Sequence, residues 1–153
     1  MEQDSYKKIL LVEDDPKDVE LTLEGLSGHN LVNEVQVLND GAEALDYLLR
    51  RGRYDSRTPI NPAFVLLDLK LPKVSGLEIL KELRGNEATK HLPVVVLTSS
   101  REEGDVLQSY RFGVNAYVVK PVSFSAFLDA VREIGLFWAL LNEPPPGSAF
   151  PRT

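Results

Sequence analysis

The chain has no cysteine among its 153 residues. Disulfides, thiolate nucleophiles and cysteine-bound metal centres are therefore excluded, and a reducing compartment is compatible with the sequence. Histidine is almost as scarce. His29 and His91 are the only two; they follow no ligand spacing and read as surface residues, which leaves nothing to build a zinc site. Positive charge is in deficit, with 17 Lys and Arg against 23 Asp and Glu and a net charge of −6. A basic face for nucleic-acid phosphates is missing, so no direct nucleic-acid partner is expected. No apolar run approaches the roughly 20 residues that span a bilayer, and the opening MEQDSYKK lacks the apolar stretch of a signal peptide. A cytoplasmic protein with no membrane partner is the expectation.

What is present alternates. Short apolar runs at 9–12, 35–38, 63–67, 94–97 and 116–119 predict strands. Four of them are continuous, as expected for strands covered on both faces, while 35–38, with Gln36 inside it, reads as an edge. Amphipathic stretches at 16–27, 41–51, 76–84, 103–112 and 123–141 predict helices between them. Asp15-Pro16, Asp40-Gly41, Ser75-Gly76 and Ser123 supply start signals for four of these. Strand–helix alternation five times over predicts an α/β fold with a doubly wound parallel sheet. The stretch 53–62 is a polar loop with two prolines. The last twelve residues, 142–153, form a Pro-rich tail expected to be extended and mobile after a single domain at 1–141.

In an open parallel sheet, function collects beyond the carboxyl ends of the strands. There the first strand delivers Glu13 and Asp14, the third Asp68, the fourth Thr98 followed by Ser99 and Ser100, and the fifth Lys120 followed by Pro121. The second delivers Asn39 and Asp40, which read as lying outside the site. Three carboxylates without His or Cys make a hard oxygen site that suits Mg²⁺, or Mn²⁺, and the cation relieves their mutual repulsion. An aspartate can also serve as a nucleophile toward phosphorus. Charge on a transferring phosphoryl group would then be met by metal, lysine and hydroxyl together. Taken singly, each residue has an ordinary reading: a turn Asp, a polar strand end, a surface Lys. Asp15 reads as a helix cap. Only their common placement at strand ends argues for a site.

The segments LLVEDD, LLDLKLPKVSG, VVVLTSS and NAYVVKP, in this order, resemble the signature segments of response-regulator receiver domains, the phosphoacceptor half of two-component signalling. The resemblance spans about residues 7–140. It implies the flavodoxin-like (CheY-like) fold, a five-stranded parallel sheet of order 2-1-3-4-5 with five helices. It implies Asp68 as the phosphoacceptor, Glu13 and Asp14 as the acidic pair for Mg²⁺ (with Asp68 and the backbone carbonyl of Lys70), Thr98 as the switch hydroxyl, Tyr117 as the switch aromatic, and Lys120 as the lysine that contacts the phosphoryl group. It further implies a cis Lys120–Pro121 bond aiming the lysine inward, a readout surface on the fourth helix, fifth strand and fifth helix, and tuning of phosphoryl lifetime by Lys70 and Ser100. Only self-phosphorylation from a donor and slow self-dephosphorylation are expected, not turnover as an enzyme.

No output domain follows in this sequence, so action by partner binding, dimerisation or phosphorelay is expected. In the fifth helix, Phe124, Phe127, Leu128, Val131, Ile134, Trp138 and Leu141 form the predicted inward stripe. Leu136, Phe137, Ala139 and Leu140 add apolar surface around its last turns. A helix apolar all round calls for a second cover. A homodimer seam through Phe137, Leu140 and Leu141 is the preferred reading, with local cover by the tail as the alternative. The long loop at 50–62, the Phe137-Trp138 pair and the missing output domain are similar to small response regulators serving phytochrome-type histidine kinases in cyanobacteria and other bacteria. That resemblance implies a sensor histidine kinase of this type as partner. The alternatives are a non-phytochrome kinase or a relay intermediate. An aspartate-nucleophile phosphatase would need an acid two residues after Asp68, where Lys70 stands. A flavin-binding protein would need an anion loop where the acidic EDDPKD stands.

Overall fold

The computed structural model describes residues 8–28, 31 and 34–147. Residues 1–7, His29 and residues 148–153, on which some of the expectations fall, lie outside them. Five parallel strands form one sheet: β1 (Ile9–Val12), β2 (Val35–Leu38), β3 (Phe64–Leu67), β4 (Val94–Thr98) and β5 (Ala116–Val119), in the order β2-β1-β3-β4-β5. Between and after them run α1 (Pro16–Ser27), α2 (Gly41–Leu49), α3 (Gly76–Arg84), α4 (Glu103–Arg111) and α5 (Phe124–Gly135). The predicted fold class and strand order are those observed.

The continuous apolar runs are explained by two cores, one on each face of the sheet. Alternate side chains of a strand point to opposite faces. Leu10, Val12, Val65, Leu67, Val94 and Val96 pack with Ala44, Leu45 and Leu48 of α2 and Ile79, Leu80 and Leu83 of α3. Ile9, Leu11, Phe64, Leu66, Val95 and Leu97 pack with Leu26 of α1 and Phe127, Val131 and Ile134 of α5. β2 is an edge, as its Gln36 suggests. β5 was expected to be covered on both faces, but it is the other edge and is half-buried along its whole length. Its partial exposure follows from having one strand neighbour and from α4, which buries only Ser109 fully.

Helix starts follow the sequence signals. Asp15 accepts from the N–H groups of Lys17 and Asp18 at 2.9 and 3.3 Å, ahead of Pro16 in the first turn of α1. Asp40, Ser75 and Ser123 cap α2, α3 and α5 in the same way. The cap residue of α4, Glu102, makes no side-chain cap bond. Gly41 opens α2 against the backbone carbonyl of Val74; a Cβ there would overlap that oxygen, so the position tolerates only glycine. α2 ends at Leu49 rather than residue 51, because Arg50 turns left-handed with φ 54°. The following loop is ordered by a one-turn 3₁₀ helix at Gly52–Tyr54 and by Arg57. The Arg57 guanidinium stacks 4.4 Å from the Tyr47 ring and donates to the carbonyls of Tyr47 and Ile60 at 2.8 and 3.0 Å.

The end of the fifth helix departs from the prediction. α-Helical geometry stops at Gly135, and Leu136–Leu141 form a π-helical turn, whose i→i+5 bonds include Asn142 N–H to the Phe137 carbonyl at 2.7 Å. Extra residues per turn rotate the inward face. Ala139, predicted to face out, is fully buried, whereas Leu141, predicted to face in, is 66% exposed. Trp138 is half-buried and stacks edge-on against Phe137 at 4.9 Å. Phe124, at the other end of the predicted stripe, is 59% exposed. Pro144 is buried, and the Gly147 carbonyl accepts from Asn61 N–H at 3.0 Å, bringing residues 142–147, the described part of the tail, back onto the body. This path leaves Phe137, Leu140 and Leu141 uncovered.

Candidate functional site

The carboxyl ends of β1, β3, β4 and β5 bring the predicted residues together. Glu13 and Asp68 are still tied into the sheet, their N–H groups donating to the carbonyls of Leu38 and Val12 at 3.0 and 3.1 Å. Their side chains leave from fixed backbone. Both are buried, while Asp14 stands exposed at the mouth. One carboxylate oxygen from each of Glu13, Asp14 and Asp68 lies within 4.8 Å of the others. Lys120 is fixed by its N–H bond to the Thr98 carbonyl at 2.7 Å. Its Nζ donates to Glu13 Oε1 at 2.8 Å, Asp68 Oδ2 at 2.9 Å and Asp18 Oδ2 at 2.7 Å. The second Asp68 oxygen accepts from Lys70 N–H at 3.3 Å. Gly76 lets α3 start against the Asp68 carbonyl; a side chain there would push directly on the backbone that carries Asp68.

The electrostatics follow from packing acids together in a poorly solvated place. Burial pushes the Glu13 carboxyl up to about 7; the Lys120 hydrogen bond pulls it down, and the neighbouring Asp68 charge pushes it up again. For Lys120, burial works against the charged form, but its bonds to Asp18, Glu13 and Asp68 outweigh that and hold its pKa above the ordinary lysine value. The ammonium thus partly neutralises a cluster that carries more acid than it can match.

Thr98 is fully buried, and its Oγ1 accepts from Ser100 N–H at 3.4 Å. Tyr117 is half-buried and donates its hydroxyl to the Ser100 carbonyl at 3.0 Å. Thr98 and Tyr117 therefore meet at opposite ends of one residue, Ser100, whose own hydroxyl is bonded to Asp105 of α4. No cis peptide occurs among the described residues, so the Lys120–Pro121 bond is trans and the cis expectation is not met. Three carboxylates direct the lysine inward without it. Two residues escaped sequence reading. Asp18, in the first turn of α1, contacts Lys120, 102 positions away. Asn39, read as outside the site, donates to the Glu13 carbonyl at 3.1 Å and steadies the end of β1. Asp40 does lie apart, capping α2.

The match to known proteins is direct. The response regulator receiver domain model matches residues 9–132. The chain belongs to the receiver-domain family. This receiver is 39% identical to response regulator Rcp1 of Synechocystis sp. over 137 residues, covering 90% of this chain and 92% of Rcp1. The Mn²⁺-bound form of Rcp1 superposes with a TM-score of 0.84 over 91% of this chain and 99% of that one. The phosphorylated cyanobacterial phytochrome response regulator RcpA gives a TM-score of 0.85 at 38% identity, over 92% and 99% of the two chains. Bacteriophytochrome response regulator RtBRR is 59% identical, with a TM-score of 0.72 over 94% and 86%. Receiver domains act as phosphoacceptors in signalling and bind Mg²⁺ or Mn²⁺. The donor set here fits such a cation: clustered carboxylate oxygens from Glu13, Asp14 and Asp68, with no sulfur or imidazole among them. Among the described residues no helix is long and apolar enough to cross a membrane.

Proposed function

We propose that this receiver, a unit of residues 1–141 followed by the tail at 142–153, takes a phosphoryl group from a sensor histidine kinase onto Asp68. The observation that carries this reading is the position of Asp68, within 4.8 Å of the acidic pair on one side and 2.9 Å from Lys120 Nζ on the other. An Asp68 oxygen attacks phosphorus, the bond from phosphorus to the donor nitrogen breaks, and the imidazole leaves with its electron pair. Glu13, Asp14, Asp68 and the Lys70 carbonyl hold Mg²⁺, which when bound offsets the charge of the acids and of the phosphoryl group. Lys120 stabilises the phosphoryl oxygens, and Thr98 donates its hydroxyl to them. Slow attack by water returns the carboxylate; no turnover on other substrates is part of this reading.

Phosphorylation adds charge and acceptor oxygens beside Thr98. Movement of Thr98 passes through Ser100 to Tyr117 and, by Asp105, to the weakly anchored α4. The readout surface is then α4, β5 and α5. Similarity to the phytochrome response regulators RcpA and RtBRR supports a phytochrome-type kinase as partner, and the cytoplasm is the proposed location. The test is incubation with acetyl phosphate. Intact mass is expected to rise by one phosphoryl group with Mg²⁺ and not with EDTA; an unmodified chain in Mg²⁺ overturns the reading.

Self-association is the second part of the proposal. Phe137, Leu140 and Leu141 are 48%, 39% and 66% exposed with residues 142–147 docked elsewhere, and exposed apolar surface of this kind favours a second copy. Sedimentation is expected to show a dimer for the wild type at micromolar concentration and a monomer for Phe137→Asp. Two monomers, or two dimers, would remove this interface.

A further inference from the structure

Of the three carboxylates on Lys120, two have a second employment. Glu13 and Asp68 belong to the group that can close on a cation, and Asp68 is also the proposed acceptor. Asp18 belongs to neither. It sits in the first turn of α1, and Asp15, whose carboxylate caps its N–H group, fixes its backbone. Its Oδ2 lies 2.7 Å from Lys120 Nζ, the shortest of the three contacts, and its side chain is 22% exposed against 4% for Glu13 and 9% for Asp68. A lysine ammonium has three N–H donors, and all three are used here. When a cation draws on Glu13 and Asp68, and when Asp68 becomes esterified, two of the three anchors change partner. A flexible four-carbon side chain that lost all its anchors would not hold its charge in one place.

We propose that Asp18 is a positioning residue for phosphoryl transfer: it keeps the Lys120 ammonium beside the phosphoryl group while Glu13 and Asp68 change partners. This rests on the reading of Asp68 as phosphoacceptor. Asp18 does not touch the reacting atoms. Its carboxylate supplies the one fixed acceptor, leaving the other N–H groups of Lys120 to swing onto phosphoryl oxygens. Glu20, an exposed acid in the same helix, has no such contact and serves as the control.

The experiment compares wild type, Asp18→Asn, Asp18→Glu and Glu20→Gln with acetyl phosphate at saturating Mg²⁺. Asp18→Asn is expected to lower the maximal phosphorylation rate by about ten-fold or more, through loss of orientation rather than of donor binding. The donor concentration at half-maximal rate and the affinity for Mg²⁺ should change by less than about two-fold, because Asp18 is outside the cation group. Asp18→Glu should recover part of the rate, and Glu20→Gln should match wild type. A second readout follows Lys120 itself. Its ammonium resonances are expected to exchange slowly in the wild type with Mg²⁺, to broaden away in Asp18→Asn and to persist in Glu20→Gln. A wild-type maximal rate in Asp18→Asn, or an unchanged ammonium signal, overturns the proposal. Equal rate losses in Asp18→Asn and Glu20→Gln also overturn it, since both would then act through the helix. If the wild type itself takes up no phosphoryl group, the failure lies with the phosphoacceptor reading and not with Asp18.

Discussion

Asp68→Asn is expected to abolish phosphorylation by acetyl phosphate or by a kinase, leaving intact mass unchanged under conditions that modify the wild type fully. The carboxamide keeps the shape of the side chain and loses the nucleophilic oxygen pair. No other acid can substitute from its position. Glu13 is buried deeper and held by Lys120 and by the Asp15 N–H group, and Asp14 stands out at the mouth. The fold should survive, because Asp68 is held in the sheet through its backbone N–H to Val12 and its removal lessens repulsion among three acids. Affinity for Mg²⁺ should fall as well, since one of the three clustered carboxylates is gone. Mass spectrometry and a Mg²⁺ titration followed by intrinsic fluorescence check both outcomes. A mass gain retained in Asp68→Asn would move the acceptor to another residue.

Lys120→Met is expected to produce changes of opposite sign. Phosphorylation should fall by about 10²–10³-fold, the usual cost of removing one charged donor from a developing anion. Binding of Mg²⁺ should tighten by about ten-fold or more, because a positive charge bonded to two of the clustered carboxylates has been removed. Without Mg²⁺ the variant should be less stable by about 3–5 kcal/mol, as expected when one member of a buried ion pair is deleted and the acids are left unmatched. The lysine side chain is only 9% exposed, so solvent does little to soften that loss. Adding Mg²⁺ should restore most of the melting temperature. Calorimetry with and without Mg²⁺ distinguishes this pattern from simple misfolding, in which affinity and stability would fall together. Weaker Mg²⁺ binding in Lys120→Met would contradict the arrangement of charges described here.

Much of this protein was determined by the sequence alone, and the reason is local. A continuous apolar run such as Phe64–Leu67 favours a strand covered on both faces, and Asp15-Pro16 and Ser123 carry their own helix-start signals. The order acid-acid, acid, hydroxyl, lysine could be read because each residue stands at or just past the end of a strand, and parallel strands all deliver their ends to one edge. What the tertiary structure decided depends on contacts the chain order does not encode. The union of Asp18 with Lys120 across 102 positions and the meeting of Thr98 and Tyr117 at Ser100 arise only once β4 and β5 lie side by side and α1 packs against α5. The exposure of β5 follows from its place at the sheet edge, which its own four residues do not announce. The turn at Leu136–Leu141 makes the same point for a helix. Apolar residues at every position carry no period, so packing chose the π winding that buries Ala139 and exposes Leu141. Local chemistry wrote the elements and the site's inventory; the geometry of burial chose which of those residues touch.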